Sequence, residues 1–298
     1  MAEQRKEMST VSENATPKKK RKLKSGFTGK TNVIMVAVCA ILSVVIICGI
    51  LYLCGYRYTK YNFSDGFSVT FVGMVDTSGQ PKSGRITYSG EGAEEGLTAT
   101  VNTETGKIEY SNGDVYEGEM EDLVKHGNGT LTCADGSVYT GGFVADKYSG
   151  KGTMTYSIGD SYVGEYKNGK RHGNGVFTWA DGSSYEGGFK NNKRDGEGVM
   201  KWADGASYTG TYVNDKKHGQ GKYIYSNGDV YEGSFENDIR SGVGTYSWAN
   251  GENYTGEFKN NTLWGVGTYQ FADGRIYKDG YFEDGVMVRT DEDISPLA

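Results

Sequence analysis

Tyr116, Tyr139, Tyr162, Tyr185, Tyr208, Tyr231, Tyr254 and Tyr277 follow one another at a constant spacing of 23 residues, with no insertion anywhere in the series. A fixed period of this length dictates a stack of identical supersecondary units. Glycine keeps the same period. It stands two residues after each of the first seven tyrosines (Gly118, Gly141, Gly164, Gly187, Gly210, Gly233 and Gly256), and a G-x-G follows in most copies, as at Gly173/Gly175 and Gly196/Gly198. A third glycine falls twenty residues on, from Gly136 through Gly274. The chain holds 46 glycines against 3 prolines, and 23 tyrosines against 11 phenylalanines, a mix that suits short strands joined by tight turns.

Within one unit, Val176–Phe189 alternates on both sides of Asp181-Gly182, a hairpin signal. Phe177 and Trp179 share a face with Tyr185, Gly187 and Phe189 of the second strand. Leu131, Met154, Phe177, Met200, Tyr223, Tyr246 and Tyr269 recur at one position of that face, and Cys133, Tyr156, Trp179, Trp202, Tyr225, Trp248 and Phe271 at another. The other face is mostly polar. A lone hairpin cannot bury such rings, so neighbouring copies must stack. Glycine on the aromatic face leaves room for a ring and lets the sheet bend. The expected fold is all-β: an elongated, twisted, single-layer antiparallel sheet of stacked hairpins, growing by about 10 Å per copy.

The run Tyr-x-Gly-x-[Phe/Tyr]-x-Asn-x-Lys-x-His-Gly-x-Gly, read from Tyr162 to Gly175, resembles the MORN repeat. Seven full copies span residues 116–276, and an eighth begins at Tyr277. The resemblance implies the same stacked-hairpin sheet, and binding of partner peptides or self-association. Upstream, residues 56–115 read as a linker and a degenerate copy that caps the sheet: Gly106 and Gly113 keep the phase, while Ala93 and Glu95 break it. Residues 277–298 read as a partial copy, a cap and an acidic tail.

The N-terminus is of another kind. Residues 1–32 form a polar, basic tail expected to be disordered, and residues 33–55 one transmembrane helix. The 22 residues from Val33 to Cys54 are almost wholly aliphatic and would span about 33 Å as a helix, close to the hydrocarbon thickness of a bilayer. The run is longer than a signal-peptide core and has no small-residue cleavage pattern, so an uncleaved single-pass anchor is expected. Lys18, Lys19, Lys20, Arg21, Lys22 and Lys24 precede it, and only Arg57 and Lys60 follow closely. The positive-inside rule then places the N-terminus in the cytoplasm and the repeats on the extracytoplasmic side. The same basic run resembles a nuclear-localisation signal, but beside a span it serves topology.

Charge and motifs narrow the function. Residues 57–298 carry 23 Lys/Arg against 35 Asp/Glu, which speaks against nucleic acid or anionic lipid as the ligand of the repeats. His126, His172 and His218 share one repeat position, 46 residues apart, too far for one metal ion. Lys125, Lys147, Lys170/Arg171, Lys193/Arg194, Lys216/Lys217 and Arg240 form a basic ladder, read as a solvated turn ahead of an anion site. Asp135, Asp181, Asp204 and Asp273 precede turn glycines and serve the backbone. No nucleophile elbow, zinc-protease motif or phosphate loop is present. The expectation is therefore a non-enzymatic scaffold without cofactor or metal, held to a membrane by its helix and recognising a protein, or itself, through the aromatic face. Trp179, Tyr185, Phe189, Trp202, Tyr208 and Tyr225 are the candidate contacts. A surface carbohydrate or cell-wall binder is the alternative, because rows of Tyr and Trp beside Asp and Asn suit sugar faces.

Overall fold

The computed structural model describes residues 29–64, 66–289 and 294–295. Two compact units divide after Leu53. The first contains one helix, α1 (Gly29–Leu53). Its segment Met35–Leu53 is apolar enough to cross a membrane, with a mean hydropathy of 2.9. The basic tail expected over residues 1–32 lies, as far as residue 28, outside the described residues, as does most of the acidic C-terminal tail.

The second unit is one open antiparallel sheet in which each strand pairs with the next along the chain as far as Val286–Arg289, and Ile294–Ser295 pairs back with Ile276–Glu283. It begins with β1 (Tyr56–Asn62), β2 (Phe67–Val75), β3 (Pro81–Gly90), β4 (Thr98–Asn102) and β5 (Lys107–Tyr110). From Val115 a constant unit takes over: a seven-residue strand, such as Ser161–Lys167, then a nine-residue strand, such as Lys170–Thr178. The C-terminal edge is Ile276–Glu283, flanked by the short strands Val286–Arg289 and Ile294–Ser295.

Each unit has two turns of different chemistry. The five-residue turn, Trp179–Ser183 in one copy, is the one that the Asp-Gly signal marks. Gly182 adopts a φ of 90° there, and Asp181 Oδ1 accepts the Ser183 N–H at 2.8 Å. The second turn has only two residues, both left-handed: Asn168/Gly169 at φ 52° and 77°, Asn191/Asn192 at 51° and 73°, Asn214/Asp215 at 50° and 72°. Asn, Asp and Gly tolerate this region, and such a turn matches the twist of the strands it joins.

Between the turns, the paired glycines form a spine. Gly164 faces Gly175, which faces Gly187, and the line continues to Gly280. Beside the spine the longer strand bulges: Gly164 pairs with Gly175, but Glu165 pairs with His172, so two residues are extra. The tyrosine ring lies flat over this pair. A Cβ on Gly175 would come within 2.6 Å of Tyr162 Cζ, so no larger residue fits. The Tyr162 hydroxyl donates to the Glu165 carbonyl at 3.1 Å, and the six other repeat tyrosines make the equivalent bond.

Copies interlock through rings and backbone. Tyr162 packs edge-on against Tyr166 of its own copy and Phe189 of the next, with centroids 5.2 and 5.1 Å apart. Tyr185, Tyr208, Tyr231 and Tyr254 repeat this arrangement. Such pairs contribute roughly 0.5–1.5 kcal/mol each beyond area burial.

Candidate functional site

The structure separates the aromatic residues into two columns with different roles. The first, over the glycine spine, is core. Tyr185 and Tyr208 are fully buried and Phe189 is nearly so: Tyr212 and Phe235 of the following copies pack on the two tyrosines, and Tyr162 and Arg171 of the preceding copy on Phe189. These three candidate contacts therefore present no surface to a partner; alternation along a strand places them on one face but cannot reveal that neighbouring copies close over it.

The second column stands at the start of the five-residue turns and is half-exposed. Trp179, Trp202 and Tyr225 lie there. From Trp202 to Phe271 the rings form an unbroken strip. Centroid separations are 5.2 Å for Trp202–Tyr223, 4.3 Å for Tyr223–Tyr225, 5.8 Å for Tyr225–Tyr246, 4.7 Å for Tyr246–Trp248, 5.4 Å for Trp248–Tyr269 and 4.8 Å for Tyr269–Phe271. Trp179 stands apart, 4.7 Å from Phe177. The N-terminal copies place Leu131, Cys133 and Met154 in these columns, so the strip belongs to the C-terminal half.

Carboxylates border the strip and are already engaged. Asp229 accepts the Tyr246 hydroxyl at 2.7 Å and the Ala249 N–H at 2.9 Å, and these bonds hold its carboxyl below the usual range. Glu252 accepts the Tyr269 hydroxyl at 3.0 Å. Burial first, then the bond to Asp229, pushes the Tyr246 phenol up. Asp135, Asp204 and Asp273 accept N–H groups of their own turns at 2.8, 2.9 and 3.1 Å.

The basic ladder splits in two. Lys147, Lys170, Lys193 and Lys216 are exposed, as a solvated turn requires. Lys125, Arg171, Arg194, Lys217 and Arg240 point inward over the core rings. Arg194 lies 4.8 Å from the Tyr212 centroid and Arg171 4.9 Å from that of Phe177. Burial pushes the Lys217 ammonium down, against the pull of Asp238. Each inner residue is tied to the next copy: the Arg194 N–H donates to Asp215 Oδ1 at 2.9 Å, and the Arg171 N–H to Asn192 Oδ1 at 2.8 Å. Solvation alone does not describe these residues; they are clamps. The second turn residue, an Asn or Asp in most copies, was the available signal.

His126 Nδ1 lies 3.1 Å from Glu121 Oε2. Among the described residues no three His, Cys, Asp or Glu side chains group closely enough to hold a metal ion. The polar face of the sheet carries a shallow depression of about 690 Å³ lined by Gln220, Lys222, Glu232 and Thr245, with Lys222 and Glu232 3.4 Å apart.

A family model described as the MORN repeat matches residues 116–138, 139–161, 162–184, 185–207, 208–230, 231–252 and 254–274. The chain belongs to the MORN repeat family. The matched copies begin at the same seven tyrosines that cover the glycine spine. No curated protein matches the chain. Among solved structures, the MORN chain is similar to the TCP domain of SAS-4 (dCPAP) of Drosophila melanogaster, in complex with a proline-rich motif of Ana2 (dSTIL). That match has 12% identity and a TM-score of 0.32, and covers 50% of this chain and 81% of that one. It is also similar to the TCP10 domain of Danio rerio CPAP, at 11% identity and a TM-score of 0.33, covering 74% and 91%. At scores this low the folds are not equated.

Proposed function

We propose that this MORN protein is a non-enzymatic, membrane-anchored scaffold that recognises a protein partner through the half-exposed aromatic strip from Trp202 to Phe271. The observation that carries the reading is the strip itself: seven rings in continuous contact, each partly exposed. Trp and Tyr anchored in this way dominate binding energy at protein interfaces, and exposed apolar rows mark such interfaces. The non-enzymatic reading is supported by the carboxylates, which cap turns or hold tyrosines and are not poised over a cleft. In this reading α1 is the anchor, with the N-terminus cytoplasmic and the array outside.

Two experiments test this. Full-length protein with a photo-crosslinker at Ala249, between strip copies, is expected to yield one discrete protein adduct in intact membranes. The adduct is lost in Trp202→Ala/Trp248→Ala and kept in the exposed-lysine control Lys193→Ala. A glycan-array signal that needs the same two tryptophans, without any adduct, overturns it in favour of carbohydrate. Protease added to intact cells is expected to remove a C-terminal epitope; full protection overturns the proposed topology.

A further inference from the structure

Among the described residues β1 pairs only with β2, so its far edge is open. The Val75 N–H donates to the Gly55 carbonyl, and the Phe63 N–H to the Phe67 carbonyl, both at 2.9 Å. Hydrogen-bonded and non-hydrogen-bonded pairs alternate along an antiparallel ladder. Odd-numbered residues from Gly55 to Phe63 therefore direct their N–H and C=O groups at β2. Tyr56, Tyr58, Lys60 and Asn62 direct theirs at the open edge, which is a template for another strand. The pairing of β1 with β2 runs without a bulge, and the strand contains no proline.

Side chains reinforce this. Tyr58 lies opposite Val72 and Tyr56 opposite Met74, on the face away from the core. Tyr58 is 69% exposed, Val72 50%, Tyr56 41% and Met74 40%. An apolar patch thus runs up to a backbone edge that no described strand pairs with, where the Tyr56 carbonyl accepts from Arg57 Nη1 at 2.9 Å and a second strand would displace that bond.

We propose that the occupant of this edge is β1 of a second copy, paired antiparallel about a two-fold axis at Thr59. The strand reads Tyr-Arg-Tyr-Thr-Lys-Tyr-Asn. In this register Tyr58 faces Lys60 of the second copy, Arg57 faces Tyr61, and Tyr56 faces Asn62. Each cation directly faces a ring, and no like charges are directly opposed; the two Lys60 side chains lie on a diagonal, where their long stems can turn apart. Every outward-facing residue falls in a hydrogen-bonded pair, and the two Tyr58 rings become diagonal neighbours. Moving the axis to Lys60 sets Lys60 on Lys60, and moving it to Arg57 sets Arg57 on Arg57. Placing it at Tyr58 leaves Tyr61 and Asn62 without partners. Only the Thr59 register uses the whole strand without setting like charges directly opposite. Among the described residues the opposite end of the sheet offers strands of four and two residues, and a head-to-tail contact there would grow filaments in place of a closed dimer.

The test uses full-length protein in lipid vesicles, with Cys39, Cys48, Cys54 and Cys133 replaced by alanine. Across a non-hydrogen-bonded pair the Cα atoms lie about 4.5 Å apart, within disulfide range. Thr59→Cys is therefore expected to oxidise to a covalent dimer, whereas Ile158→Cys, exposed on a distant turn, stays monomeric. Tyr58→Lys sets like charges face to face, and Tyr58→Pro removes an outward N–H that β2 does not use. Each is expected to halve the native mass in detergent and to abolish the Thr59→Cys crosslink, while the circular dichroism is unchanged. A monomeric wild type, a Thr59→Cys variant that does not crosslink above the Ile158→Cys level, or a folded Tyr58→Lys variant that still crosslinks overturns the proposal, as do species larger than dimers.

Discussion

Replacing Gly198 with alanine isolates the contact on which every copy depends. Gly198 faces Gly187 on one side and Gly210 on the other. An added Cβ would come 2.5 Å from Tyr185 Cε2 and 2.6 Å from its Cζ. The ring has nowhere to go. It is fully buried, it packs edge-on between Phe189 and Tyr212 at 5.2 and 5.3 Å, and its hydroxyl donates to the Gly188 carbonyl at 3.1 Å. Overpacking of this kind costs about 1–3 kcal/mol. Loss of the hydroxyl bond adds about 0.5–1.5 kcal/mol. Alanine returns about 0.5–1 kcal/mol through the lower entropy of its unfolded chain. A net loss of about 2 kcal/mol follows at the centre of these ranges, a drop in Tm of about 4–8 °C for a unit of this size.

Thermal unfolding of the full chain in detergent, followed by circular dichroism, measures the loss. The decisive comparison is the double-mutant cycle with Tyr185→Ala. Once the ring is gone, the Gly198 Cβ enters empty space, and Gly198→Ala is expected to be neutral or stabilising, a coupling of about 2 kcal/mol. Gly182→Ala is the contrasting case: its Cβ meets nothing within 4 Å, but φ is 90°, so its cost stays whatever happens to the rings. If Gly198→Ala costs as much without Tyr185 as with it, the ring-over-glycine account is wrong.

Asp215→Ala removes the acceptor of the Arg194 N–H and the partner of Arg194 Nε at 3.3 Å, at a turn position with φ 72°. A loss of about 1–3 kcal/mol is expected, with faster hydrogen exchange at Arg194; Asp215→Asn keeps the backbone bond and loses less, and equal losses would refute the clamp. Alkaline pH acts on the buried column. Burial pushes Tyr116, Tyr139, Tyr162, Tyr185, Tyr231 and Tyr254 up to about 12 from the usual 10. Their neutral phenols support the fold fully below pH 10, and that support is lost as the pH rises through about 12. Tyrosinate absorbance and loss of the sheet signal are expected to rise together in that window; smooth ionisation from pH 10 with the sheet intact would refute it.

Much of the fold was legible because a period of 23 leaves few choices, and alternation names the apolar face of each strand. The Asp-Gly turns were also legible. The two-residue turns were signalled by Asn168-Gly169, yet their neighbours Asn191-Asn192 and Asn214-Asp215 carry the same left-handed pair without a glycine, so the pattern does not announce itself. The two-residue bulge at Gly173 and Asn174 was hidden. It sets which ring of the next copy lands on each tyrosine, and so decides which aromatic residues are core. That is why Tyr185, Phe189 and Tyr208 looked equivalent to Trp179, Trp202 and Tyr225 in the sequence and are not in space.

The family match starts at Tyr116, yet the ring-over-glycine device starts earlier. Phe71 lies over Gly73 and Gly84, which face each other across β2 and β3; a Cβ on Gly84 would come 2.7 Å from its ring. The offsets of two and thirteen residues equal those from Tyr162 to Gly164 and Gly175, and Tyr88 falls where Trp179 falls in its copy. Phe71 precedes Tyr116 by 45 residues, one short of two periods, so a search in strict phase passes over it. The difference between the two rings is chemical. Phenylalanine has no hydroxyl to donate to the carbonyl three residues on, and here the pairing runs straight from Gly73/Gly84 to Met74/Ser83, with no bulge beside the glycines. The flat ring over paired glycines is thus a steric requirement of the bent sheet, met by either residue. The tyrosine hydroxyl accompanies the shift that follows directly on the glycine pair, as between Gly118 and Met120; in β2 and β3 the shift comes one residue later, at Met74/Val75, and the ring is a phenylalanine.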